Sequence, residues 1–404
     1  MRVPNLFKLS RIKNLLGRKA MLSRIMLLLV LLVVGLAVTG CVQPKGQPKG
    51  WSGVAVSDGV LFVGSMEGKL VSVDISTHSR LWADVSLETT KTGGGFGCAA
   101  PSTAVAIYGT PAVSEDLVYV AGYNGRIYAI DSKKGKEEWQ YPPRGEPYLK
   151  PVVGGVVVAE GKVIFGTSDG KVYAVDAASG VEAWGEPFET GDKIWSTPAI
   201  EGDTVYVSSF DRKLYALNIA DGNKRWEFET GGAIATTPLV YNNTVYFGSF
   251  DRHVYAVDAA TGKQIWKFPL LDESKNNPKN WFWAKVVAHN STIYAPSLDG
   301  KVYILDARTG REVVDAVDLG SPISSSPVLV NNSVIIASEE GKIYSLDTET
   351  NQLTPLAELK KEEIRAPLSA SKEVVFVHTQ KDEMLYALNA QTGVTLWKIT
   401  LSSK

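Results

Sequence analysis

The chain has 404 residues, with 42 basic residues against 43 acidic and a formal net charge of −1. It contains no Lys/Arg run or basic patch, which excludes the electrostatic footprint of a nucleic-acid binder. Its two cysteines, Cys41 and Cys98, leave one thiol once Cys41 is engaged as described below, which excludes an internal disulfide framework.

The first forty residues differ in kind from the rest. They carry seven Lys/Arg and no acid, then a 14-residue apolar run from Ile25 to Val38, shorter than the roughly 20 residues of a membrane-spanning helix. The run ends in Val38-Thr39-Gly40-Cys41, where small residues precede a cysteine. This layout resembles a bacterial lipobox, and it implies a lipoprotein signal peptide over 1–40 with lipid attached to Cys41. Met21 is an alternative start, because Met21 to Cys41 alone has the charged, apolar and small regions in order; a plain membrane anchor is the competing reading. Residues 41–50, with Gln-Pro-Lys-Gly written twice, read as a flexible tether. Beyond residue 40 the chain holds 35 basic and 43 acidic residues, a net charge near −8.

From Trp51 to Leu401 one pattern recurs eight times at about forty residues: apolar strand, tight turn, aromatic strand, Asp/Asn turn, outer strand. The turn residues are Asp74, Asp131, Asp176, Asn218, Asp258, Asp306, Asp347 and Asn389. Eight positions later stand Trp82, Trp139, Trp184, Trp226, Trp266, Val314, Pro355 and Trp397. Asp and Asn suit such a turn because their side-chain oxygens accept nearby backbone N–H groups. Asn124-Gly125, Asp169-Gly170 and Asp299-Gly300 mark the hairpin between the second and third strands. One four-stranded sheet cannot bury both faces alone, so such repeats stack radially as propeller blades. The expectation is an all-β, eight-bladed β-propeller over residues 51–404. The six recurrent indoles should wedge between adjacent blades, and docking should be looser where Val314 and Pro355 replace them. The first and last sheets are both complete in strands, so closure should rely on side-chain packing.

The motif Asp-Ala-x-Thr-Gly-x-x-x-Trp, written in full at Asp258 to Trp266, resembles the quinoprotein-like propeller repeats over residues 51–401. With Cys41, the tether and almost nothing else in the chain, the whole resembles the BamB-type lipoproteins of the outer-membrane β-barrel assembly machinery. That resemblance implies a non-catalytic, lipid-anchored, monomeric scaffold outside the cytoplasm that holds a protein partner on one propeller face. The address would be the outer membrane if the source has one, and otherwise the outer face of the cytoplasmic membrane. The same repeat occurs in dehydrogenases that hold pyrroloquinoline quinone (PQQ) with Ca²⁺, which keeps an enzyme as an alternative. This chain has neither the adjacent cysteine pair of those enzymes nor an assignable calcium set. A ligand or polysaccharide sensor is a third reading.

Four tryptophans are not explained by blade docking: Trp51, Trp195, Trp281 and Trp283. Counting three residues before the first-strand proline position gives Trp51, Tyr108, Val153, Trp195, Ala235, Trp283, Ser324 and Ile364. These should form a ring at the mouth of the central channel, with Lys193, Lys285 and Arg365 nearby. Such a ring suits a planar or peptide ligand, or equally plugs the channel. Two links on that face are long, 29 residues from Trp82 to Pro111 and 20 from Trp266 to Val286, against 12 from Trp226 to Pro238. Long links in an economical repeat favour a binding role. Other motifs carry less. Gly93 to Gly97 lacks the Lys-Ser/Thr of a phosphate loop, and His78, His253, His289 and His378 have no metal-ligand spacing. Asn242, Asn290 and Asn331 begin glycosylation-like triplets in the equivalent first hairpin turn, where Asn tolerates positive φ.

Overall fold

The computed structural model describes residues 50–87, 105–270 and 277–402. The expected signal peptide, Cys41, most of the tether, Cys98 and the Gly93–Gly97 run lie outside them. Eight antiparallel sheets follow one another along the chain, each with its strands in sequence order. Blade four is representative, with strands Ala199–Glu201, Thr204–Ser208, Lys213–Asn218 and Lys224–Glu229. Two outer strands are irregular. In blade one Ser79–Arg80 and Val85–Ser86 pair separately with Lys69–Asp74, and in blade three the outer strand shrinks to Phe188–Glu189.

Period-two alternation explains why these sheets stack. In blade four Val205 and Val207 point to one face and pack with Ile164, Val172 and Trp184 of blade three. Tyr206, between them, points the other way and packs with Val245 and Phe247 of blade five. Both faces of each central strand are therefore apolar and fully covered. Eight such clusters, one per seam, take the place of a single core.

The eighth seam closes the ring. Val54, Leu61, Val63 and Val71 of blade one pack with Phe376, Leu385, Ala387 and Leu401 of blade eight. Polar contacts reinforce it: Ser369 Oγ donates to Val54 O at 2.5 Å, Arg80 Nη2 to Thr400 O at 3.0 Å, and Met66 N to a Glu383 carboxylate oxygen at 2.5 Å. Among the described residues, blade eight takes no strand from the other end of the chain.

The recurrent indoles occupy the seams as expected. Trp82, Trp139, Trp184, Trp226 and Trp266 each donate Nε1–H to a backbone carbonyl of the next blade: Ser132, Ala177, Ile219, Ala259 and Ala307, at 2.8 to 3.0 Å. Each ring also lies over the Thr-Gly-type turn of that next blade. A Cβ on Gly135, Gly180, Gly222, Gly262 or Gly310 would sit 2.5 to 2.6 Å from indole carbons, and all five have φ between +67° and +76°. Glycine is thus required twice over, by handedness and by the neighbour's ring. Trp397 instead stacks on His78 of blade one, centroids 5.3 Å apart. At the two seams without an indole, Val314 and Pro355 are exposed.

Candidate functional site

The second-to-third-strand turns and the inter-blade links share one face. Phe210 N donates to Lys193 O, Phe250 N to Ala233 O and Leu298 N to Trp281 O, at 2.9 to 3.0 Å. The innermost strands begin on this face, so the residues just before them surround the axis. A single cavity is lined by Trp51, Tyr108, Val153, Trp195, Ala235, Trp283 and Ser324, one from each of seven blades. These are seven of the eight positions expected from counting.

The eighth is corrected. Ile364 is fully buried in the seam between blades seven and eight, and Arg365 lines the cavity in its place. The reason is register. Ser369 pairs with Phe376 as Ala199 pairs with Tyr206, so Leu368 is the equivalent of Pro198 and Pro367 stands one residue early. Ile364 then matches Ile107, Val152, Ile194, Ile234, Phe282 and Ile323, the fully buried residue before each ring position.

Below the ring the alternation leaves a second tier. Thr110, Thr197, Thr237, Lys285 and Ser326 line the cavity two residues after the ring positions. Between the tiers the side chains turn away: Ser196 Oγ donates to Ser208 O at 3.0 Å and Thr236 Oγ1 to Gly248 O at 3.0 Å. Close approach of the inner strands needs small residues here; a Cβ on Gly109 would lie 2.4 Å from Gly154 O.

Outside the ring the turns add aromatics that the repeat did not reveal. Trp195 meets Phe210 at 4.7 Å, Phe210 meets Phe250 at 5.7 Å, and Phe250 stacks on Trp281 at 4.6 Å and on Trp283 at 5.7 Å. Lys193 sits over both Trp195 and Phe210, at 4.9 and 4.6 Å, a cation–π contact rather than a channel lining. Trp281 likewise lies outside the cavity and is 46% exposed. On the opposite rim Trp51, Tyr108 and Tyr123 form a shorter chain, at 4.6 and 5.4 Å. The available signal was the residue before each hairpin Asp/Asn, which is Tyr123, Phe210 and Phe250 in three blades.

The charges at the mouth are unequal in their partners. Arg365 is answered by Glu363 at 2.5 Å and Glu339 at 3.7 Å. Lys285 has no carboxylate partner among the described residues, and burial pushes its pKa below the usual lysine range. A quinone held by calcium would need a donor set of carboxylates or amides. Among the described residues no group of three or more His, Cys, Asp or Glu could hold a metal ion, and Glu339, which lines the vestibule, is committed to Arg365. The donors at the mouth do not fit that group.

Comparison with known proteins now decides the family. A model described as outer membrane protein assembly factor BamB matches residues 39–196 and 188–399. The chain belongs to the BamB family. Each matched segment spans about half of the ring. Similar solved structures include BamB from Moraxella catarrhalis, with TM-score 0.60 and 21% identity over 72% of this chain and 87% of that one. Another is the computationally designed Ika8 protein, with TM-score 0.68 and 16% identity over 85% and 97%. At these identities the two share the fold. Among curated proteins, the quinohemoprotein alcohol dehydrogenase ADH-IIG of Pseudomonas putida is 32% identical over 114 residues. That stretch is 26% of this chain and 14% of the relative.

Proposed function

We propose that this BamB-family propeller is a non-catalytic, extracytoplasmic scaffold, lipid-anchored through Cys41, that binds a protein partner on its mouth face during assembly of outer-membrane β-barrel proteins. The observation that carries the reading is the continuous aromatic layer Trp195–Phe210–Phe250–Trp281 under Lys193, which leaves Trp281 exposed on a face rich in loops. Rigid aromatics, tryptophan above all, are among the residue types that dominate protein-binding hot spots. The family description supplies the assembly context. Co-purification from solubilised native envelopes tests it: Phe250→Ala/Trp281→Ala should lose the barrel-assembly complex while the wild type retains it. Equal recovery by both chains would remove this face from the reading.

A second reading, a PQQ-dependent dehydrogenase, is favoured by the short dehydrogenase-like stretch. Titration with PQQ and Ca²⁺, following tryptophan fluorescence and dye reduction with an alcohol, separates the two. Saturable quenching with turnover would replace the scaffold reading.

A further inference from the structure

The axial cavity holds a set of polar groups that the scaffold role does not use. It encloses about 90 Å³ and opens into a vestibule of about 200 Å³, the two sharing Trp51, Trp283, Ser324 and Arg365 in their walls. Three of its groups are donors without an acceptor among the described residues. The Lys285 ammonium has no carboxylate partner among the described residues, unlike Arg365 beside it. The Trp195 indole N–H and the Ser324 hydroxyl are buried and lack any hydrogen-bond partner, although the five docked indoles all have one.

The hydroxyl tier adds more. Thr197 Oγ1 accepts from Gly155 N at 2.8 Å, and Ser326 Oγ accepts from Lys285 N at 3.1 Å. A hydroxyl whose lone pair is taken by a backbone N–H keeps its own proton to give. These two hydroxyls therefore each keep a proton to give into the cavity. A half-buried cation with hydroxyl donors around it and no carboxylate partner among the described residues is best satisfied by an anion.

The position of the cation selects the kind of anion. Lys285 lies in the inner tier, below flat walls made by Trp51 and Trp283. A ligand reaching it places its charge inward and its body between indoles. Lys285 is the cation in these walls without a carboxylate partner among the described residues, Arg365 being paired with Glu363 and Glu339, so the site offers charge for a single anionic group. The indole walls above that charge suit a flat apolar body.

We propose that the axial cavity is a binding site for a monocarboxylate with a flat apolar body. Lys285 pairs with its charge, the Thr197 and Ser326 hydroxyls donate to its oxygens, and Trp51 and Trp283 stack on its body. The same chemistry is offered by a free aromatic acid or by the carboxy terminus of a peptide chain.

Calorimetry and tryptophan fluorescence on the full chain test the site. The probes are phenylacetate against phenylacetamide, and a tripeptide with an aromatic last residue, free against amidated. Each acid should bind at least about tenfold more tightly than its amide, because charge-assisted pairs are the strong ones. Lys285→Met should erase that preference. Binding by only one of the two acids identifies the source. Equal binding of acid and amide, no binding of either acid, or an undiminished preference in a folded Lys285→Met chain would overturn the proposal. None of these results depends on partner recovery by the aromatic layer, so the two ideas fail separately.

Discussion

Gly262→Ala is the sharpest test of how the blades are held together. Gly262 has φ +69°, where an L-residue costs about 1 kcal/mol. The new Cβ would also stand 2.6 Å from Cδ2 and Cε3 of Trp226, and the rigid indole has to move. Forced overpacking costs about 1–3 kcal/mol. Displacement also strains the Nε1–H bond to Ala259 O, 3.0 Å long, worth about 1 kcal/mol. The expected loss is therefore about 3–5 kcal/mol. Gly202→Ala is the matched control, since Gly202 has φ +57° and nothing within 4 Å of a built Cβ. It should lose only the handedness term, about 1 kcal/mol. Guanidinium unfolding followed by circular dichroism reads both, through the midpoint at constant slope. Equal midpoints for the two variants would refute the wedge of indole over glycine, because only that contact separates them.

Closure has its own pH signature. His378 is buried between blades eight and one, donates from Nδ1 to Ser52 O at 2.8 Å, and has no partner at Nε2; burial pulls its pKa down to about 4 against that bond. The unfolded chain binds this proton first, so stability is full above about pH 6.5 and falls towards pH 4, by about 2–3 kcal/mol between pH 7.5 and 4.5. His378→Asn should flatten that slope, and a wild-type midpoint that does not move over this range would contradict the burial argument. At Asp251 desolvation raises the carboxyl pKa, but hydrogen bonds from His253 and Tyr255 outweigh it and hold it near 2. Its stabilisation is complete above about pH 4 and is lost only as pH falls towards 2, so the two windows are separable by unfolding at stepped pH. Cys41→Ser should abolish incorporation of labelled palmitate and move the protein from the membrane pellet to the soluble fraction; continued pelleting would favour an uncleaved apolar anchor.

The ring was readable from the primary structure because its physics repeats. Eight equally spaced Asp/Asn turns and six equally spaced tryptophans report the same wedge each time, and the register so obtained located seven mouth residues. The eighth differs because Pro367 stands one residue early and blade eight places Leu368 at the marker position. Single-residue slips of this kind are visible in the pairing of Ser369 with Phe376, not in composition. The outer aromatics were hidden for another reason. Phe210 and Phe250 sit beside Asp211 and Asp251, whose carboxylates accept from Lys213 N and His253 N and so explain the turn without the ring next to it. The broken outer strands of blades one and three follow from local irregularity, Trp82-Ala83-Asp84 and Gly185-Glu186-Pro187, that periodicity averages away. The unpaired donors of the cavity were beyond reach, since an N–H without an acceptor exists only once every neighbour is placed.

The side-chain seam between blades eight and one sets an order of assembly. Each sheet draws its strands from one short contiguous stretch, so seven seams can form as the chain emerges, each from neighbours in sequence. The apolar face of blade one, Val54, Leu61, Val63 and Val71, has to wait for Phe376, Leu385 and Leu401 at the far end. Until the last strand arrives, the molecule is an unclosed arc whose blade-one flank stays uncovered longest, and that flank is where a growing or translocating chain is open to aggregation or to a chaperone.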